Sequence, residues 1–200
     1  MKRVLYILVL ALLTACQTDG GKSNLPEIDP EVIVLETDMG KIVIELFTRD
    51  APLHVEAFKK MTREGFFNGT GFHRIIPGVI IQGGDPNSKS ENRAFWGMGL
   101  PDQPTLPAEF NSRKHVRGIV SAARRGDDIH SATSQFFICE TTKPEWDGQY
   151  SIFGRVIEGM NIVDIISNAP RREGTEQPEQ IVRITRAFLD KRQSYPTSTQ

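Results

Sequence analysis

Residues 66–85, FFNGTGFHRIIPGVIIQGGD, decide how the rest of the chain is read. The centre is the triplet Phe72-His73-Arg74, followed by a branched apolar run ending at Gln82, Gly83 and Gly84. Ile75 to Ile81 has strand character broken at Pro77-Gly78, because proline offers no ladder donor and glycine tolerates positive φ. Arg74 and Gln82 flank that run on its polar side. Both can hydrogen-bond a peptide carbonyl, and neither is a nucleophile at neutral pH.

A second informative stretch lies further on, Ser131-Ala132-Thr133-Ser134-Gln135-Phe136-Phe137-Ile138. In a strand, Gln135 and Phe137 share one face and Phe136 points the other way, into the core. Cys139 follows in the same apolar run, so it reads as a buried, inert thiol.

On the N-terminal side, Val32 to Glu36 and Lys41 to Phe47 are β-branched runs separated by Thr37-Asp38-Met39-Gly40, which favours a hairpin. Asp50 as N-cap and Pro52 in the first turn open a helix with Leu53, Val55, Phe58 and Met61 at helical spacing, stopped by Gly65. His54 has no second ligand at i+4 and reads as a surface residue of that helix. The stretch from Pro86 to Arg117 is loop-rich and punctuated by glycine and proline. Inside it, the apolar cluster Phe95-Trp96-Gly97-Met98-Gly99 is expected to pack back onto the domain, with extension of a substrate groove as the alternative. Strand character resumes over Gly118 to Ala123, Gln135 to Thr141 and Tyr150 to Ile157. Met160 to Asn168 is a second helix ending near Pro170, and Ile181 to Phe188 alternates as a last strand. Many short strands with only two helices argue for a closed antiparallel barrel rather than a βαβ sheet.

The 200 residues are 38% hydrophobic and 24% charged, with a formal net charge of -1, which fits one compact domain plus extra sequence at the ends. Scattered charges and no basic face argue against nucleic acid. Lys2 and Arg3 precede the apolar run Val4 to Leu13, then Thr14, Ala15 and Cys16. A positive start, a short apolar run and small residues make residues 1–15 a secretory signal, too short in its apolar part to be a permanent span. Leu13-Thr14-Ala15-Cys16 is similar to the bacterial lipobox, which implies lipidation of Cys16 and anchoring to a membrane of the cell envelope. Residues 16–30 then form a flexible tether, 31–190 the folded domain, and 191–200 a polar tail expected to fray. With Cys16 lipidated, Cys139 has no intramolecular disulfide partner.

Taken together, the stretches at 66–85 and 131–138 closely resemble the two signature motifs of the cyclophilin-type peptidyl-prolyl isomerases, and the likeness runs from about Glu31 to Asp190. The resemblance implies an eight-stranded barrel capped at each end by a helix; separately, no cofactor and no metal are expected. The resemblance also implies Arg74 as the catalytic arginine, with Gln82 orienting it and contacting the substrate backbone. Phe72, His73, Val79, Ile80, Ala123, Gln135, Phe137, Trp146 and Tyr150 complete the implied substrate surface. His73 supports the site by hydrogen bonding, because isomerisation moves no proton between carbon and base. The implied partners are proline-containing polypeptides, met by a monomer.

Three positions depart from the family pattern. Val79 stands where a phenylalanine is usual, and Ala122 where a methionine follows Val-Ser, so the proline pocket should be enlarged or reshaped. Trp146 can be aligned with the family's tryptophan by a one-residue deletion, or with the neighbouring pocket-lining leucine. The second assignment keeps the Asp147-Gly148 turn in register. It leaves Glu145 where a tryptophan favours cyclosporin, so weak binding of that drug is expected. Other matches are weak: Arg125-Gly126-Asp127 is a tripeptide common by chance, as is the sequon Asn68-Gly69-Thr70. No P-loop, spaced Cys/His set or Gly-x-Ser-x-Gly nucleophile occurs, and His54, His73, His115 and His130 are dispersed. The resulting expectation is an envelope isomerase acting on Xaa-Pro bonds. A non-catalytic proline-peptide module, or a chaperone using Phe95-Trp96, would be the alternatives.

Overall fold

The alternation of branched residues at the start of the domain builds a hairpin. In the computed structural model, which describes residues 26–195, strand β1 (Glu31–Thr37) pairs with β2 (Gly40–Leu46) from Val32↔Glu45 to Thr37↔Gly40. The signal, Cys16 and most of the tether lie outside the described residues. The turn is closed by Thr37, whose hydroxyl donates to the Gly40 carbonyl at 2.7 Å and accepts from the Met39 amide. Ile33, Leu35, Ile42, Ile44 and Leu46 face the main core, while Val32, Val34 and Val43 pack on the other face with Phe188 and Tyr195.

Helix α1 (Pro52–Arg63) starts with proline in its first turn, as its missing N–H allows, but Asp50 is not the cap. The cap comes from 55 residues away. The Glu109 carboxylate accepts the Leu53 and His54 amides at 3.1 and 2.9 Å, satisfying two donors that the first turn leaves free. Asp50 instead accepts from Arg113 Nε at 2.5 Å. His54, expected on the surface, is 0% exposed. Its Nδ1 lies 2.7 Å from Glu109 and its ring stacks on Phe153, so tertiary partners pull this position inward and leave Leu53 outside.

Six further strands complete the sheet: β3 (Arg74–Ile76), β4 (Ile80–Gly83), β5 (Ile119–Ala122), β6 (Phe136–Cys139), β7 (Ile152–Glu158) and β8 (Ile184–Lys191), with helix α2 (Met160–Ser167) before the last. All pairings are antiparallel, in the order β3-β4-β6-β5-β7-β2-β1-β8. The sheet is therefore an open half-barrel, not the closed barrel expected. Between β3 and β8 no ladder forms; the residues ahead of β3 meet the start of β8 through the isolated bridge Gly71↔Arg183 and the bonds Phe72 N–H to Val182 O, Ile184 N–H to Thr70 O and Gly69 N–H to Ile184 O. The physical reason lies in β3, which has three residues and whose Ile75 N–H is taken by the Glu176 carbonyl of the α2–β8 loop at 2.8 Å. No ladder donor is left there for β8 to extend.

Phe58, Phe67, Phe72, Phe136 and Phe153 fill the inside of the curved sheet beneath α1. Their rings meet mostly edge to face, as between Phe136 and Phe58, Phe67 and Phe72. Gly84, at φ +82°, passes so close to the Ser134 carbonyl that a Cβ would sit 2.4 Å from it. The fold continues past Asp190: Arg192 bonds to the buried Glu45 carboxylate, and the Tyr195 hydroxyl donates to Asp190 at 2.9 Å. Among the described residues no helix is long and apolar enough to cross a membrane.

Candidate active site

Strand pairing alone lines up the polar residues of the two motifs. The Pro77-Gly78 turn folds β3 onto β4 so that Arg74 stands opposite Gln82. Gln82 in turn stands opposite Phe137 on β6, and Phe137 opposite Ser121 on β5. Period-two alternation sends Ile75, Ile81, Phe136 and Ile138 into the core and leaves Arg74, Ile80, Gln82 and Phe137 on the outer face.

On that outer face a small pocket of about 90 Å³ opens, lined by Arg74, Ile80, Gln82, Ala123, Arg124, Phe137, Trp146 and Tyr150. Phe137 is its floor, and Trp146 and Tyr150 stand on it edge-on, with centroids 5.5 and 5.3 Å away. Arg124 lies over the Tyr150 ring at 4.9 Å. The rim carries a relay of hydrogen bonds. Arg74 Nη1 donates to Gln82 Oε1 at 3.2 Å, Gln82 Nε2 to Gln135 Oε1 at 3.1 Å, and Gln135 Nε2 to the Gly97 carbonyl at 3.0 Å. Each amide is thereby turned to a defined side, which fixes the donors and acceptors shown to a peptide.

Not every expected residue reaches this pocket. Phe72 is fully buried in the main core against Phe136, so its place is structural. Val79 packs beside the aromatic cluster but does not line the pocket, and Ala122 faces the core while Ala123 faces the pocket. A shorter side chain at 122 therefore cannot widen the pocket directly. Trp146 forms part of the pocket wall, while Glu145 beside it is not among the lining residues and pairs with Lys143 at 3.3 Å. His73 is buried and lines an adjoining polar groove with Arg74, Gln82, Trp96 and Glu176, but neither ring nitrogen has a hydrogen-bond partner among the described residues, so the hydrogen-bonding support expected of it is not seen. Phe95 and Trp96 do not form an exposed pair: Phe95 is 53% exposed, whereas Trp96 is 7% exposed, with Nε1 donating to Ser90 O at 2.9 Å and Arg93 stacked on its ring. That arrangement removes the support for a two-aromatic chaperone surface.

Sequence reading missed three features. Asp85 is fully buried and ties the loop to the site by accepting the Asn87 and Gly97 amides. Glu176 pairs with Arg74 from 102 residues away. Beneath the floor, Ser121 Oγ lies 3.0 Å from His115 Nε2, and His115 Nδ1 lies 3.1 Å from Asp147. The order of groups is that of a serine nucleophile with its base and orienting acid. Ser121 and His115 are both 0% exposed, however, and no substrate could reach them. Their work is to hold Phe137, over which the His115 ring stacks at 6.2 Å.

Burial pushes the His73 and His115 rings below the usual histidine range, against the opposing pull of Asp85 and Asp147 respectively. Both are thus neutral in the folded protein at pH 7 and take up a proton on unfolding in acid. A base with a lowered folded-state pKa binds more protons when unfolded, so stability must fall with decreasing pH. The window opens near the unfolded value of about 6.5 and closes at the lower folded-state values. The unfolding free energy from urea titration should accordingly drop between pH 7.5 and 5.5, with a slope of at most about 1.4 kcal/mol per pH unit per histidine, and the urea midpoint should fall with it. An unchanged midpoint in the unaltered protein across this window, or no flattening of the pH profile in the His73→Gln, His115→Gln double variant, would contradict this account.

Among the described residues no His, Cys, Asp or Glu cluster could hold a metal. Cys139 is buried, and burial raises its thiol to about 12, so it stays protonated. What remains is a non-covalent site: an apolar pocket sized for a small ring, a guanidinium on its edge, and oriented amides along one side. That combination is suited chemically to an apolar ring in the pocket with a hydrogen-bonding cation at its edge.

The chain matches the family model described as cyclophilin type peptidyl-prolyl cis-trans isomerase/CLD over residues 32–188. It is 39% identical over 173 residues to a probable peptidyl-prolyl cis-trans isomerase of Brucella suis, covering 83% of this chain and 88% of the relative. A peptidyl-prolyl cis-trans isomerase of Helicobacter pylori is 38% identical over 135 residues, covering 66% of this chain and 77% of the relative. Among solved structures, a Cryptosporidium parvum cyclophilin crystallised in the presence of the dipeptide Ala-Pro superposes with a TM-score of 0.71 at 28% identity, covering 80% of this chain and 98% of that one. The chain belongs to the cyclophilin-type peptidyl-prolyl cis-trans isomerases, and it is an enzyme of that activity.

Proposed function

We propose that this isomerase works on Xaa-Pro bonds of exported polypeptides, held to a membrane of the cell envelope by lipid on Cys16, and that Arg74 is its catalytic residue. The observation that carries the catalytic reading is the guanidinium at the edge of the aromatic pocket, bonded to Gln82 through Nη1. The proline ring sits on Phe137 between Ile80, Trp146 and Tyr150. Gln82 and Gln135 hold the flanking backbone. The amide barrier of about 18–20 kcal/mol comes from conjugation of the nitrogen lone pair. As the bond twists, the nitrogen becomes pyramidal and basic, and Arg74 donates to it. A donor matched to the twisted state and not to the planar ground state lowers the barrier. No proton is transferred and no covalent bond is made.

The envelope reading rests on Lys2-Arg3, the short apolar run and Leu13-Thr14-Ala15-Cys16. A polar tether separates Cys16 from β1, long enough to let a monomeric domain meet unfolded clients near the membrane. In cells, Cys16→Ser should move the chain from the membrane to the soluble fraction and abolish incorporation of labelled fatty acid. Turnover of short Xaa-Pro peptides should be unaffected. Persisting membrane association with no label would overturn the anchor, and peptide binding without turnover would make the domain a recognition module.

A further inference from the structure

The Arg74 side chain is gripped from two edges, and only one grip comes from its own hairpin. Nη1 donates to Gln82 across the β3–β4 ladder, while Nε donates to Glu176 Oε2 at 2.5 Å from the α2–β8 loop. A surface ion pair ordinarily contributes little, because two long side chains must be immobilised and water screens them. Arg74 and Glu176 are 40% and 47% exposed, so that objection has to be met.

The backbone meets it. The Glu176 carbonyl accepts the Ile75 N–H at 2.8 Å, so the loop is pinned to the edge of β3 one residue from Arg74. The loop is also held from behind. Arg93 donates to the Pro178 and Glu179 carbonyls at 2.7 and 2.8 Å, and Gln177 Nε2 donates to Arg93 O. Arg172 N–H bonds to Gln177 O, with the isolated bridge Arg171↔Pro178 beside it. The carboxylate therefore stands beside Arg74 before any substrate arrives, and little entropy is lost in making the pair.

We propose that Glu176 is the positioning residue of the catalytic arginine. With Nε and Nη1 both engaged, rotation of the guanidinium plane is arrested and Nη2 has no acceptor among the described residues, which leaves it for the substrate. Glu176 touches no reacting atom itself; it acts through Arg74. This inference rests on the reading of Arg74 as catalytic.

The test is a double-mutant cycle in the full chain purified in mild detergent, read as kcat and KM on Xaa-Pro peptides. Glu176→Ala should lower kcat about tenfold with KM within about twofold, as expected for loss of a hydrogen bond to a charged group. Glu176→Gln, which keeps an acceptor oxygen, should recover part of the loss. In the Arg74→Ala background, Glu176→Ala should change nothing further. The Arg74 Nε–H resonance, slowed in exchange by the carboxylate, should broaden into water exchange in Glu176→Ala. Equal losses in both backgrounds would show a merely structural role and overturn the proposal, as would unchanged kcat in Glu176→Ala while Arg74→Ala is inactive. Full activity of Arg74→Ala would instead overturn the reading on which the proposal stands.

Discussion

Arg74→Ala is expected to lower turnover of Xaa-Pro peptides by about a hundredfold or more while leaving the protein folded. The magnitude is that of removing one preorganised donor from a developing charge in a sheltered site. The side chain projects from the outer face of a three-residue edge strand, and its partners Gln82 and Glu176 both remain solvated when it is gone. Stability should therefore change little, and circular dichroism should be superimposable on that of the unaltered chain. Peptide affinity should fall much less than kcat, because Ile80, Phe137, Trp146 and Tyr150 still hold the ring. Arg74→Lys tests the finer point. A lysine keeps the charge but has no planar fork to satisfy Gln82 and Glu176 together, so it should restore only a small part of the rate. Equal activity of the lysine variant would mean that charge alone matters. Undiminished turnover in the folded alanine variant would remove Arg74 from the mechanism altogether.

The second large effect separates two neighbouring phenylalanines. Phe136→Ala should cost about 3–5 kcal/mol of stability, the range for deleting an aromatic ring from a packed core. Its ring meets Phe58, Phe67 and Phe72 edge to face inside the buried core, so the truncation forfeits three ring contacts and leaves a cavity there. Phe137→Ala should cost clearly less stability, since its cluster is small and opens to solvent at the pocket. It should instead reduce kcat/KM at least about tenfold, because the floor on which the proline ring rests is removed. Urea unfolding and peptide turnover, measured on both variants, decide the matter. Equal destabilisation by the two, with Phe137→Ala fully active, would show that the pocket is misplaced.

Those two predictions draw on what could be read from the chain itself. The opposite fates of Phe136 and Phe137 follow from strand alternation, which acts between adjacent residues. That Arg74 and Gln82 flank the Pro77-Gly78 interruption on its polar side is legible in the chain, and the observed register places them opposite each other. The buried, inert Cys139 and the hairpin after Thr37 are local readings of the same kind.

What the sequence determined by itself was thus the identity of the two polar-edged strands and the side on which their residues fall. Only the tertiary structure decided that the sheet stays open, that Glu109 caps α1 and draws His54 inside, and that Asp85 anchors the loop over the site. It also decided that Glu176 meets Arg74. The physical reason is range. Side-chain period and turn chemistry operate over a few residues and leave a pattern, whereas these contacts join groups brought together by packing, and a lone carboxylate in a loop carries no periodic mark of its partner.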